Sequence, residues 1–379
     1  MYHSIARWNG VSPRPLSHKG FSLIELLVAI AIGAVLIFGA TQAYVDSRNA
    51  YTINEAVARM QETGRYAMAV MEADISMSNF WGLKKGSVNA SVRKTEAPNT
   101  ALGGAAATKC GANYALDLEQ NIEGTEGTYS LGCDPYHNKA MPNADTVTVR
   151  RASERVSATT PVAGPLRICS TRTAAVLVND TSVSGSLCEG ALIPENEDEA
   201  LGPTGEIHDL SVSAYYVDQD SDQQNGLPSL RRWYLTTEAT GPTFAEAEVV
   251  PGIEDMQIQY GVDRLGGFGP SAGVATQYLN AGTTLDALLT ATPAAQIVSV
   301  RVWLLVRAET PEVGFADNRD YEYGSRLASN GYTSDLTVAA DANKAYRPSL
   351  SPDNSLTSVK SYRRILISRT ISLRNALGT

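Results

Sequence analysis

Residues 21–40, FSLIELLVAIAIGAVLIFGA, form a run that is apolar except for Ser22 and Glu25. Twenty residues of helix rise roughly 30 Å, enough to cross the hydrocarbon core of a bilayer. The segment before it carries Arg7, Arg14 and Lys19 and no acid. A basic flank of this kind predicts an amino end held in the cytoplasm and a translocated remainder. Without those three bases the chain keeps 28 Lys and Arg against 40 Asp and Glu, a formal charge of −12. A surface that neutralises phosphates is normally basic, so no nucleic-acid partner is expected. Arg231-Arg232-Trp233-Tyr234 and Tyr362-Arg363-Arg364 do mix basic and aromatic residues. On a strand, however, only one Arg of each pair can join a common surface.

The helix is not expected to stop at the membrane. No proline occurs from residue 21 to Pro98. Ile53, Val57, Met60, Gly64, Ala67/Met68, Met71 and Ile75 recur in steps of three and four, one stripe of an amphipathic helix. The opposite face is assigned Arg48, Glu55, Arg59, Glu62, Arg65 and Asp74, and Gly82 offers a C-terminal stop. One helix over 21–81, with 21–40 in the membrane, would be roughly 90 Å long. Its second half would pack the stripe under a head formed by 82–379, with a division near residue 205.

An ordinary secretory signal places a small-residue cleavage site after its apolar core, and none follows here. Lys19-Gly20-Phe21 precedes the run instead. Gly20-Phe21-Ser22-Leu23-Ile24-Glu25 resembles, at every position, the class III signal of type IV pilins, G-F-S/T-L-x-E. The resemblance implies removal of a 1–20 leader by a prepilin peptidase, cutting between Gly20 and Phe21, then N-methylation of the Phe21 amine. The bland alternative is an uncleaved signal anchor with a stray Glu. A carboxylate near mid-bilayer costs about 2.5–3.5 kcal/mol on insertion scales, so Glu25 needs a reason to be there. The resemblance supplies one. Glu25 would neutralise the Phe21 amine of a neighbouring subunit, with Ser22 helping by hydrogen bonding or simply starting the helix.

The head reads as mainly antiparallel β. Residues 83–144, rich in Gly, Ala, Asn and Thr, read as loops with short elements. Thr146–Arg150 alternates, as does Leu210–Tyr216 with Leu210, Val212, Ala214 and Tyr216 on one face. Leu230–Leu235 would be the hairpin partner of the latter. Met256, Ile258 and Tyr260 alternate, and Val298, Val300, Val302, Leu304 and Val306 fill one face of the strongest strand. Ile365, Ile367, Ile371 and Leu373 mark a last strand, with long insertions expected at 263–293 and 309–358. The segments 249–263, 300–307 and 362–367, with 371–375, resemble the PilW-type minor pilins. The expected fold is therefore α+β and pilin-like: a long amino-terminal helix on an antiparallel β-rich head.

A translocated head would fold where disulfides persist. Four Cys allow three connectivities. Sequential pairing, Cys110–Cys133 and Cys169–Cys188, closes the two shortest loops, each worth about 2–4 kcal/mol.

Catalytic chemistry is sought and not assembled. Gly269-Pro270-Ser271-Ala272-Gly273 fits the G-x-S-x-G nucleophile elbow, but no His follows His208 and glycines precede it. The overlapping Gly267-x-Gly269-x-x-Ala272 has no helix to open. Asp218, Asp220 and Asp222 alternate in a polar turn and are weak calcium candidates. An EF-hand would place Gly at Gln223 and Glu at Ser229. Glu195, Glu197, Asp198 and Glu199 read as a solvated loop. No enzyme, metal or cofactor is expected. The resemblance implies a minor pilin of a type IV pilus, placed in a tip complex that primes assembly and supports adhesion or twitching motility. Its expected partners are other minor pilins, the major pilin, the prepilin peptidase, an inner-membrane assembly platform and a tip adhesin. It would sit in the inner membrane with a periplasmic head, then in the surface pilus. A J-like pseudopilin of type II secretion shares the same logic. A membrane-tethered periplasmic enzyme is the rival from another class.

Overall fold

A computed structural model describes residues 20–84, 93–155, 164–172, 174–179, 206–264, 272–290, 294–333, 344–346, 348 and 359–376. Helix α1 runs unbroken from Leu23 to Ser76. It ends five residues before the expected 81, and the stop is not Gly82. Met77 and Ser78 donate to the Asp74 and Ile75 carbonyls in tightened turns. Asn79 then takes a left-handed φ of 63°, which Asn tolerates better than most side chains. Its side chain donates to the Asn375 carbonyl and accepts from Trp81 Nε1, so the reversal is tied at both ends.

The chain divides into two units between Glu55 and Ala56. The first holds the amino-terminal half of α1, whose Phe21, Leu23, Val35 and Phe38 are exposed. By length and composition this helix can cross a membrane.

The second unit begins with the rest of α1 and contains the β-rich head. One sheet has seven strands: β1 (Ile122–Thr125), β2 (Thr146–Arg155), β3 (Arg167–Ser170), β4 (Ala175–Val178), β5 (Glu206–Asp218), β6 (Ser229–Glu238) and β7 (Gly241–Pro251). The second has four, in the order β13 (Arg364–Ser372), β10 (Gln296–Arg307), β8 (Ile253–Asp263), β9 (Gln277–Leu279). Every pairing in both is antiparallel. β11 (Leu327–Thr333) and β12 (Lys344–Tyr346) form a small parallel pair inside the second expected insertion. The halves of the head on either side of residue 205 share one sheet. Strand β5 pairs with β2 through 208–215, with β3 through 206–209, and with β6 through 213–218.

Strand β5 explains the layering. Its expected face, Leu210, Val212, Ala214 and Tyr216, packs with Trp81, Ile168 and Phe244 in one core. Its other face is buried too: Tyr215 and Val217 join Val147 and Val149 in a second core. The seven-stranded sheet is thus a middle layer, apolar on both sides, where the alternation of an antiparallel strand led one to expect a single buried face.

The second core is closed by α1. Met60, Ala67, Met68, Met71 and Ile75 pack against Met256, Ile258 and Tyr260 of β8, Val300, Val302 and Leu304 of β10, and Ile371 of β13. Burying each such side chain contributes about 1.5–3 kcal/mol, enough to seat the helix. Gly64 sits where the helix comes nearest the sheet. A Cβ there would lie 2.2 Å from Ile367 Cδ1 and 3.0 Å from Val306 Cγ2. Helix propensity costs a mid-helix Gly about 1 kcal/mol against Ala, and the close approach is its reason.

Asp74 corrects the helical assignment. It lies on the buried face, 7% exposed, and not among the solvent-side charges. Its Oδ1 accepts from Arg151 Nη2 at 2.7 Å, and its Oδ2 from the Tyr215 hydroxyl at 2.6 Å. One carboxylate therefore ties the last turn of α1 to β2 and β5.

Cys110 and Cys133 are joined as expected. Cys169 is buried in β3; Cys188, its expected partner, lies outside the described residues. Residues 269–271 of the G-x-S-x-G stretch and the acidic run at 195–199 lie outside them as well.

Candidate functional site

The amino end of α1 is built by four residues. Ser22 is the residue before the helix, and its Oγ accepts from the Glu25 amide at 3.2 Å. Glu25 Oε2 in turn accepts from the Ser22 amide at 2.9 Å. This is a capping box, S-x-x-E, in which two otherwise unpartnered helix-start amides are satisfied reciprocally. The signal Ser22-Leu23-Ile24-Glu25 is legible in the sequence as a cap, beside its reading as a processing motif. The cap uses one carboxylate oxygen and turns Glu25 towards the first turn, where helix-dipole charge also favours an anion. Phe21 is 91% exposed beside it. A Cβ added to Gly20 would meet nothing within 4 Å, so packing does not demand glycine there.

The three alternating aspartates do not converge. Asp220 accepts from Lys139 Nζ at 2.9 Å and from the Gly226 amide at 2.7 Å. Asp222 pairs with Arg231 Nη2 at 2.9 Å. Asp218 Oδ1 accepts from the Asp220 amide at 3.0 Å. Protein cations and amides hold the turn together, and among the described residues no set of three His, Cys, Asp or Glu is arranged to bind a metal. The three weak calcium candidates are thus not gathered into one metal-binding set among the described residues.

Asp218 is nonetheless unusual. It is fully buried and its Oδ2 has no hydrogen-bond partner. Burial pushes its carboxyl up to about 7, opposed by the Asp220 amide and Arg231 and reinforced by Asp220 and Glu246. A carboxyl raised on folding gives stability that is fully present below its unfolded value, near 4, and is lost as pH climbs through the folded value. Asp218→Asn removes that titration. In urea titrations its midpoint is expected to gain on the wild type as pH rises from 5 to 8; parallel profiles would disprove the assignment.

A cavity of about 320 Å³ lies beside the disulfide, lined by Lys94, Cys110, Tyr114, Glu123, Ser130 and Thr148 among others. Its charges are spent on each other. Glu123 accepts from Lys94 Nζ and from Arg150 Nη2, and Tyr114 bonds Thr148. Burial pushes Glu123 up, but Arg150 and Lys94 outweigh it and hold the carboxyl below its ordinary value. No nucleophile and base are brought together there.

A capped amino-terminal helix of membrane length, with an antiparallel β-rich head, defines the class of membrane-anchored pilin-type subunits. Residues 16–41 match the model of the prokaryotic N-terminal methylation motif. Residues 214–375, from β5 to just beyond β13, match that of type IV pilus-assembly protein W. The two matches support a PilW-like type IV pilin, and the matched PilW family is one of structural pilus components. No curated protein and no solved structure matches it.

Proposed function

We propose that the chain is a minor pilin that enters a type IV pilus near its tip, in a complex that primes assembly. The observation that carries the reading is the geometry at Glu25. Its Oε2 is held by the Ser22 amide, which cleavage before Phe21 leaves in place, and Oε1 stays available to a neighbour. Cleavage would free the Phe21 amine, a cation at neutral pH. A subunit displaced along the filament would set its own amine against this carboxylate. The two charges cancel in apolar surroundings where either alone is costly, and the pairing fixes axial register. The match of 214–375 to a pilus-assembly family supports a pilus over a secretion pseudopilus. The basic flank supports an inner-membrane precursor with a periplasmic head. Other minor pilins, the major pilin, an assembly platform, a prepilin peptidase and a tip adhesin are the proposed partners; adhesion and twitching are the proposed outputs.

Processing is the test. Since nothing in the fold demands glycine at position 20, the demand falls on the peptidase, whose site must admit the backbone closely. Mass spectrometry of purified pili is expected to find a chain beginning with N-methyl-Phe21, and Gly20→Val should leave the leader attached. Surface filaments containing a chain that starts at Met1 would overturn the reading.

A further inference from the structure

The outer face of the four-stranded sheet, opposite α1, carries polar and aromatic side chains that the proposed docking through Glu25 does not involve. Cross-strand register puts Thr370, Arg301 and Gln259 in one row, with Ser299, Gly261 and Tyr278 on one side of it and Ser368, Trp303 and Gln257 on the other. Gly261 is required by this arrangement. A Cβ there would lie 2.8 Å from the Tyr278 ring and 2.2 Å from Ser299 Oγ, so its absence lets the ring lie over the sheet. The Arg301 guanidinium stacks 3.8 Å above the Tyr278 ring centre and 5.7 Å from that of Trp303. Both rings are half-buried and so is Arg301.

Arg301 differs from most arginines of these sheets, although Arg232 of β6, whose guanidinium lies over the Tyr234 ring, likewise makes no ion pair among the described residues. Arg150, Arg231, Arg307 and Arg364 each rest on a carboxylate. Arg301 makes no ion pair among the described residues; its one hydrogen bond there is Nε to Thr370 Oγ1, at 3.4 Å. Its Nη donors are thus held in a fixed plane, by aromatic contacts, with no acceptor. The groups around it are neutral. Gln259 Nε2 donates to Asn280 Oδ1 at 3.0 Å, and the Tyr278 hydroxyl bonds Ser299 at 3.3 Å. Glu126, accepting from Asn280 at 2.9 Å, sets an acidic border on that side.

We propose that this face binds an acidic polysaccharide, a uronate carboxylate seated on Arg301 and its sugar ring against Tyr278 and Trp303. A planar guanidinium takes a carboxylate through two parallel hydrogen bonds, and stacking on aromatic rings pre-orders it for that. One cation among amides, hydroxyls and ring faces matches a ligand with one carboxylate and several hydroxyls per unit. An acidic peptide or a nucleic acid would call for several cations, and the acidic border at Glu126 disfavours dense negative charge. The binding does not depend on Glu25 or on assembly.

The test uses the full chain purified in detergent, titrated with oligogalacturonate, dextran and poly-glutamate. Oligogalacturonate is expected to bind, more weakly as salt is raised, and dextran at least tenfold less tightly. Arg301→Gln should weaken oligogalacturonate binding at least tenfold with an unchanged melting temperature. Arg301→Lys, which keeps the charge without the planar fork, should fall between the two. Arg93→Gln, at an exposed ion pair elsewhere, should bind as the wild type does. Absence of oligogalacturonate binding, equal binding by Arg301→Gln, equal binding of dextran, or tighter binding of poly-glutamate would each overturn the proposal. The last of these would make the face a docking site for an acidic protein segment.

Discussion

Glu25→Gln is expected to insert in the membrane and to be cleaved after Gly20, yet to reduce surface piliation at least tenfold at native expression. The substitution separates two roles of one side chain. Gln at the third helical position still serves a capping box, so the reciprocal bonds with Ser22 can persist. Only the charge is lost. Removing one partner of a desolvated ion pair costs about 3–5 kcal/mol, because the other charge is left behind. A tenfold loss needs only about 1.4 kcal/mol, so the effect should exceed that comfortably. Ser22→Ala is the reciprocal control. It removes a cap worth about 1 kcal/mol and keeps the carboxylate, so pili should still form. Immunoblots of sheared pili, beside blots of the membrane fraction, give both readings. Normal piliation with Glu25→Gln would show that the carboxylate is not the docking element.

The second large effect is expected at Asp74. Asp74→Ala should destabilise the head by about 2–3 kcal/mol, since it leaves the fully buried Tyr215 hydroxyl without its acceptor and the partly buried Arg151 guanidinium without its carboxylate. Tyr215→Phe removes one hydrogen bond and leaves the ion pair, and should cost about 1 kcal/mol. Urea unfolding of the full chain in detergent, followed by tryptophan fluorescence, reads both. Equal midpoints for Asp74→Ala and wild type would mean that the contact adds nothing to the helix-to-sheet junction. The two experiments are independent, because a pilin that fails to dock through Glu25 should still have a stable head.

Much of this molecule was readable before any coordinates. The apolar run, its basic flank and Gly20-Phe21-Ser22-Leu23-Ile24-Glu25 are contiguous, and so is the cap they contain. The stripe from Met60 to Ile75 and the alternation in 210–216, 256–260 and 298–306 are relations between residues two to four apart. Local geometry fixes such relations, because a helix or a strand repeats its side-chain directions over that distance. Even so, the end of α1 was placed at Gly82, since a glycine is the usual stop. The helix ends at Ser76 instead, and the reversal that follows at Asn79 is tied to Asn375, 296 residues away.

What only the tertiary structure decided is which polar groups leave water. Asp74 read as a solvent-side charge, because an Asp is seldom buried unless it is paired. It is buried because Arg151, 77 residues on, and Tyr215, 141 residues on, arrive to satisfy it. Asp218, Asp220 and Asp222 read as one acidic turn, yet Lys139, Gly226 and Arg231 claim the latter two and leave Asp218 buried beside them. Tyr215 and Val217 lie off the face formed by Leu210, Val212, Ala214 and Tyr216, and a second core closes over them. The aromatic seat of Arg301 needs three strands in register and a missing side chain at Gly261. Apolar periodicity is written into the chain by the sequence. The environment of a charge is a sum over groups that meet only when distant strands and the helix have been packed together.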